Sequence, residues 1–480
     1  MKLNNYIILI SLLIINSAEG KISLDSAIKS AIFNNQGLHS SALKVKARAD
    51  LISSAKGKYL PNVNFDISYN LIDKDIIIDL NPIRTAMISL QTSNQVGFSN
   101  LESIIKTGNP LNESQLKYVK DESYKKLDAS IPLFQETVKE NTFPKASLSF
   151  SQPILTGGKI KSGVGAAEAQ KNAEEFKMQQ ERNELVLNVI QSFINVIVSS
   201  ENLSIRKSAL QSLEKHKLRA EKMYNLGLIA NHDKLRAEVA YSEAIRNLSD
   251  AEEIFNLSLE VFNSNAATEL GEMPNDSLIY KMFIIDKDVF TEKAFLDNPI
   301  IGQTKSMESA LTHKSNAEFA NYLPTIYGFG TYDIFDNYRS LFEPKWVIGI
   351  AANFNIFNGF KRTNDYQASE SEVESAKLLI TELQRKISLG IKKYYMEMKN
   401  AEQQYKMLEA SLKLAEESFI LNEKRYETGL GSSIEVLDAQ VSLEAIKLKR
   451  LSALKDFYFS IANLYFYKGN TEEFLSFWNN

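Results

Sequence analysis

The 480-residue chain contains no cysteine. That excludes disulfides, a thiol nucleophile, thiolate metal sites and lipid attachment through an N-terminal cysteine. Proline (10) and glycine (20) are scarce for the length, below average usage, which favours long uninterrupted helices. Histidine is limited to His39, His216, His232 and His313, at no metal or triad spacing. No enzyme and no cofactor are expected. The formal charge of −4, from 55 basic and 59 acidic side chains, gives no electrostatic reason to expect nucleic acid. Long apolar runs are missing as well. One run, Tyr6 to Ile15, follows Lys2 and precedes Asn16, Ser17, Ala18, Glu19 and Gly20, the pattern of a secretory signal peptide over 1–20. Its length is well short of the roughly 20 residues a membrane-spanning helix needs. A secreted chain without a helical span goes to the periplasm, the exterior or the outer membrane as a β-barrel, because lipid admits only helices and closed barrels.

What the chain does have is an internal repeat. Tyr224, Gly227 and Leu228 are echoed by Tyr426, Gly429 and Leu430, each 202 residues later. The same offset relates Ile154, Gly157 and Lys159 to Ile356, Gly359 and Lys361, and Leu235 and Ala237 to Leu437 and Ala439. Further upstream Asn35, Tyr59, Leu60 and Pro61 match Asn298, Tyr322, Leu323 and Pro324 at an offset of 263. The extra length lies mainly between Leu71 and Ala146, where an insert is expected as a partly structured loop.

Each repeat carries two short alternating segments. Val63, Phe65, Ile67, Tyr69 and Leu71 interleave with Asn64, Asp66, Ser68 and Asn70, while Ala146, Leu148 and Phe150 interleave with Ser147, Ser149 and Ser151. In the second repeat Ile326, Tyr332 and Ile334, then Trp346, Ile348, Ile350, Ala352 and Phe354, face one way, with Thr331, Asp333, Gly349, Ala351 and Asn353 opposite. Strands of about 9 to 11 residues, apolar on one face and polar on the other, suit a transmembrane barrel.

The strands lead into very long helices. No Gly or Pro occurs from Ala166 to Leu226, and Val189, Phe193, Val196, Leu203, Leu210, Leu213, Ala220 and Tyr224 follow heptad-compatible spacing, the periodicity of a coiled coil. A helix from Lys159 to Asn225 would be a rod of roughly 100 Å at 1.5 Å per residue. Such a rod needs neighbours to cover its stripe. The second copy, Lys361 to Thr428, contains only Gly390.

Together these features resemble the TolC family of outer-membrane efflux proteins over essentially the whole mature chain. The resemblance rests on Leu24, Ala27, Ile28, Ala31 and Asn35, on Tyr-Leu-Pro at Tyr59 and Tyr322, on Tyr-x-x-Gly-Leu at both long-helix ends, and on Glu-Val-Leu-Asp-Ala at Glu435 to Ala439. It implies a mixed α and β fold and a trimer, with four transmembrane β-strands per subunit in a shared 12-stranded barrel above a long periplasmic α-helical coiled-coil barrel. The division is then a signal peptide (1–20), a first structural repeat (21–265), an equatorial connection (266–286), a second repeat (287–468) and a C-terminal equatorial tail (469–480). The first repeat holds a strand pair at about 62–71 and 146–153 around the insert at about 72–145, a long helix at about 159–226 and a return helix at about 231–263. The second holds strands at about 325–335 and 346–356, a long helix at about 361–428 and a return helix at about 433–466.

The resemblance also implies functional positions. Tyr426 and Asp233 match a closed-state latch at the periplasmic tip, with Gly431 standing where the family has an arginine. Glu435 and Asp438 match acidic residues of the periplasmic aperture, a cation ring. Read locally, they are equally carboxylates favourable at a helix start after Ser432 or Ser433. Gly227 with Leu228, and Gly429 with Leu430, match the adaptor-docking tips, and glycine there also suits a left-handed helix end.

The implied role is the exit duct of a tripartite efflux pump or type I secretion system, a passive channel across periplasm and outer membrane. Its partners would be two further copies of the chain, a periplasmic adaptor (membrane fusion protein), an inner-membrane transporter of RND, ABC or MFS type, and outer-membrane lipid. The rival is a periplasmic coiled-coil adaptor or scaffold, which would not explain the two amphipathic strand pairs.

Overall fold

The computed structural model describes residues 21–268, 272–335 and 343–479; the expected signal peptide, 1–20, lies outside them. The chain opens with a two-residue strand β1 (Lys21–Ile22) and helices α1 (Leu24–Asn34) and α2 (Gln36–Gly57). Strands β2 (Asn62–Leu71) and β3 (Ile76–Asp79), helices α3 (Asn81–Thr107) and α4 (Glu113–Ser130), and strands β4 (Gln135–Lys139) and β5 (Thr142–Leu155) follow. Next come the helices α5 (Lys159–Asn225) and α6 (Asn231–Ala266), the short strand β6 (Met273–Pro274), and α7 (Lys287–Asp297) and α8 (Pro299–Phe319). The last elements are β7 (Thr325–Asp333), β8 (Trp346–Asn353), α9 (Lys361–Glu427), α10 (Ser433–Lys468) and α11 (Phe474–Asn479). They form two compact units, one over 56–160 and 319–360 and one over the remaining segments.

The first unit is built on a four-stranded antiparallel sheet in the order β2-β5-β7-β8. Residues directly opposite across a ladder share a face, so the register states which side each residue takes. Phe65 pairs with Leu148, Leu148 with Tyr332, and Tyr332 with Trp346. Ile67 opposes Ala146, and Ile350 opposes Gly328. The other face carries Asn64 opposite Ser149 and Ser149 opposite Thr331. Alternation sorts apolar from polar along β2 and β5, while on β7 and β8 the face of Ser149 also carries Tyr327, Phe329 and Val347. Among the described residues nothing covers the apolar face at its middle: Ile67 is 68% and Ile350 74% exposed. Gly330 lies under the Phe150 ring, at a distance where an added Cβ would collide with it. Phe329, on the polar face, lies similarly over Gly349.

The insert is more ordered than a loop. Arg84 of α3 ties the hairpin of α3 and α4 together, donating to the carbonyls of Asp128, Ile131 and Pro132 and pairing with the Asp128 carboxylate at 2.7 Å. Gly108 caps α3 in the left-handed region (φ 76), and Asn112 and Gln115 close a capping box on α4. Gly and Asn between two helical runs are the local signals for this turn.

In the second unit, the apolar residues of α5 repeat often enough to bury a continuous seam. Val186, Val189, Ile190, Phe193 and Ile194 join Leu24 and Ile28 of α1, Phe262 of α6, Phe457 and Ile461 of α10, and Trp478 of α11 in one core. Phe193 meets Phe262 and Trp478 edge-on at 5.6 and 5.8 Å. Gly390, the single glycine of α9, faces the Tyr467 ring where an added Cβ would collide with it. Among the described residues no helix is long and apolar enough to cross a membrane.

Candidate functional site

The two long helices end alike because their sequences end alike. Gly227 (φ 71) and Gly429 (φ 74) both adopt the left-handed region, which glycine reaches without a side-chain clash. The Leu228 amide donates to the Met223 carbonyl at 2.9 Å and the Gly227 amide to Tyr224 at 2.8 Å. The second copy repeats the pair, Leu430 to Arg425 at 2.8 Å and Gly429 to Tyr426 at 3.1 Å. Both ends are thus Schellman caps, with carbonyls that a bare helix end would leave unpaired now bonded. The leucines following the glycines project outward, Leu228 65% and Leu430 75% exposed.

The turns then diverge. Tyr224 is exposed, with the Lys234 ammonium 5.4 Å from its ring. Tyr426, its repeat partner, is only 1% exposed. Its ring tilts against the His216 imidazole of α5, with centroids 4.9 Å apart. His216 Nε2 shares a 2.9 Å hydrogen bond with the Ser433 hydroxyl of α10, and its Nδ1 is buried without a partner. Burial first, and the Arg219 charge second, lower the His216 pKa to about 4. The Tyr426 hydroxyl makes no hydrogen bond among the described residues. Burial and then the negative charge of Asp233 raise its pKa, against smaller opposing effects from Ser433 and Arg219.

The expected latch residues are therefore within electrostatic reach but are not bonded to each other. Asp233 meets His232 Nε2 at 3.4 Å. Arg219 bridges the repeats instead, donating to Glu427 and lying 3.7 Å from Glu423.

Glu435 occupies the helix start in two ways. Ser432 is the N-cap of α10, and the Glu435 carboxylate accepts from the Ser432 amide at 3.2 Å in a reciprocal capping box. The same carboxylate is 3.6 Å from the Arg425 guanidinium, whose other nitrogen donates to the Leu430 carbonyl at 3.1 Å. Gly431 leaves room for this: a Cβ there would stand 3.0 Å from Arg425 Cβ. Asp438, one turn on, is exposed and forms no hydrogen bond or ion pair among the described residues. The structure thus collects Tyr426, Ser433, His216 and Arg219 in one cluster and places Glu435 with Arg425 in the neighbouring turn.

Sequence reasoning missed His216 and Arg219. Ala209, Leu213, His216 and Ala220 are buried at spacings of four, three and four, so His216 occupies a seam position of the heptad that Tyr224 had been expected to continue. No group of residues suited to a metal ion occurs among the described residues.

The outer membrane efflux protein family model matches residues 116–256 and 292–470, more than half of the chain. Among solved structures, a membrane protein from Pseudomonas aeruginosa superposes with a TM-score of 0.70 at 15% identity, covering 94% of this chain and 92% of its own. The outer membrane protein VceC from Vibrio cholerae gives 0.70 at 14%, covering 93% and 96%. The Campylobacter jejuni CmeC outer membrane channel gives 0.66 at 14%, covering 94% and 88%. At identities this low, the superpositions show a shared fold. Among curated proteins none matches the chain.

Proposed function

Since this chain belongs to the outer membrane efflux protein family, we propose that it is the exit duct of a tripartite efflux pump or type I secretion system, built as a homotrimer. The observation that carries this reading is the sheet: one face apolar, the other polar along β2 and β5, with strands β2 and β8 at its outer edges and no partner strand for them among the described residues. An open edge leaves backbone N–H and C=O groups without partners, which hydrocarbon does not tolerate. Four strands do not close a barrel alone, so pairing β8 of one copy with β2 of the next supplies the missing bonds; three copies give twelve strands. The apolar face would meet outer-membrane lipid and the polar face the water-filled lumen.

The helical unit would form the periplasmic tunnel. Leu228 and Leu430, exposed beyond their glycine caps, would receive a periplasmic adaptor, which links the duct to an inner-membrane transporter. The cluster around Tyr426 would hold the tip closed, with Asp233 nearby and Arg425 stiffening the turn where Gly431 offers no side chain. Asp438, together with Glu435, would line the aperture as a cation ring.

The test is fractionation of cells expressing the full chain. The reading expects the protein in the outer membrane, running as an oligomer in detergent gels unless heated. A soluble periplasmic monomer would refute it.

A further inference from the structure

At the tip the first repeat turns from α5 into α6 and the second from α9 into α10. Residues four apart share a helix face, so Glu423 and Glu427 of α9 stand one turn apart on one side. Both meet a single cation of the first repeat, Arg219 of α5. Its Nη2 donates to Glu427 Oε1, and its Nη1 lies 3.7 Å from Glu423. Nη1 is buried without a hydrogen bond, so carboxylates rather than water answer its charge. Among the described residues no other ion pair joins the two repeats at this level. Asp233 pairs with its neighbour His232, and Arg425 directs its nitrogens to Leu430 and Glu435 of its own turn.

We infer that Arg219 is the residue that locks the tip shut, its bonds to Glu423 and Glu427 holding the hairpin of the second repeat against that of the first. The inference rests on the reading that the protein is a duct closed at this tip. The polarity reverses that of the expected latch. An arginine at position 431 would have reached from the second repeat to the first, whereas here the arginine stands on the first repeat and the carboxylates on the second.

Position gives this bond its leverage. Arg219 lies eight residues before the Gly227 cap, about 12 Å along the helix at 1.5 Å per residue. It also follows His216, which packs on Tyr426, by one turn. A gate that opens by parting the two hairpins has to break it. The other arginine of α5 that crosses to the second-repeat hairpin, Arg206, pairs with Glu444 of α10 at 2.5 Å. It stands thirteen residues further from the cap, about 20 Å. Charge then sets the response at position 219. A carboxylate there would face two others in a partly buried site, where repulsion is weakly screened; an ammonium would keep the attraction.

The test compares Arg219→Glu, Arg219→Lys, the control Arg206→Glu, and Arg219→Glu combined with Glu423→Arg and Glu427→Arg, all in the full-length protein. Single-channel conductance in planar bilayers reads the gate, and the heat-sensitive oligomer reads assembly. The inference expects at least a two-fold rise in conductance from Arg219→Glu. It expects parent values from Arg219→Lys and Arg206→Glu, and closure restored in the charge-swapped triple variant. Should Arg219→Glu fail to assemble, Glu423→Gln with Glu427→Gln removes both acceptors without adding charge and should raise conductance alike. Parent conductance in Arg219→Glu or in the glutamine pair overturns the inference and leaves the duct reading standing. So does a triple variant as open as Arg219→Glu alone, or an equal rise from Arg206→Glu. Neither channel nor oligomer from the unsubstituted protein would overturn both readings.

Discussion

The imidazole of His216 lies against the phenol of Tyr426, 4.9 Å between ring centroids, although the two residues sit on helices of different repeats. The contact joins the long helix of the first repeat to the turn of the second. Among the described residues the only hydrogen-bond partner of the imidazole is the Ser433 hydroxyl.

A pH dependence follows. The His216 pKa is lowered to about 4 from an ordinary 6.5, so the unfolded chain binds a proton that the folded tip refuses. Stability conferred by the neutral ring is fully present above pH 6.5, falls as pH drops toward about 4 at about 1.4 kcal/mol per unit, and does not fall further below that on this account. Arg219 opposes protonation, and Tyr426 and Ser433 offer no negative charge to offset it. Protection of the tip amides, taken relative to the intrinsic exchange rate at each pH, should fall between pH 6.5 and 4, and His216→Gln should flatten that dependence. An unchanged profile in the variant would assign the acid sensitivity elsewhere.

How much of this was legible beforehand differs by element. The long helices and glycine caps were readable because the duplication repeats local signals: Tyr-x-x-Gly-Leu recurs 202 residues apart and ends both helices. The strand faces were readable because alternation is local too, and the register confirms which residues share a side. The insert was expected to be partly structured, but its helical hairpin was not foreseen, since Arg84 secures it by bonds to residues more than 40 positions away. The burial of Tyr426 against exposed Tyr224 was equally hidden, because the same motif meets a different neighbour in each repeat.

Glycine positions should respond oppositely to alanine. Gly390→Ala places a Cβ against the Tyr467 ring and should cost about 1–3 kcal/mol through overpacking. Gly163→Ala, in α5 with nothing within 4 Å of the new Cβ, should raise stability by roughly 0.5–1 kcal/mol. Thermal denaturation of the detergent-solubilised protein checks both; equal shifts would dismiss the packing role of Gly390.

Lysine on the apolar sheet face should impair membrane assembly. Ile67→Lys or Ile350→Lys should cost roughly 2–4 kcal/mol near the bilayer midplane, while Ser149→Lys on the polar face should be tolerated. The yield of heat-sensitive oligomer measures this, and like behaviour of all three would reverse the facing assignment.

If Asp438 and Glu435 ring the aperture, the channel should prefer cations and be blocked from its periplasmic side by a trivalent cationic complex. Asp438→Ala should weaken the block more than Glu435→Ala, because Glu435 is already engaged with Arg425 and the Ser432 amide. Raising the salt should weaken it in both, as screening shortens the reach of the ring to about 10 Å at 0.1 M. Block unchanged in the double variant would leave these residues a helix-start role alone.

The central claim is that β2 of one copy pairs with β8 of the next, and cysteine pairs across that seam test it most directly. Cysteines replacing Asn64, Asp66 or Ser68 on β2 are combined with ones replacing Val347, Gly349 or Ala351 on β8, all on the polar face. The account predicts that one register of these combinations yields covalently linked multimers up to the trimer in boiled, non-reducing gels. Uniformly monomeric chains from every combination, in protein that has reached the outer membrane, would contradict it.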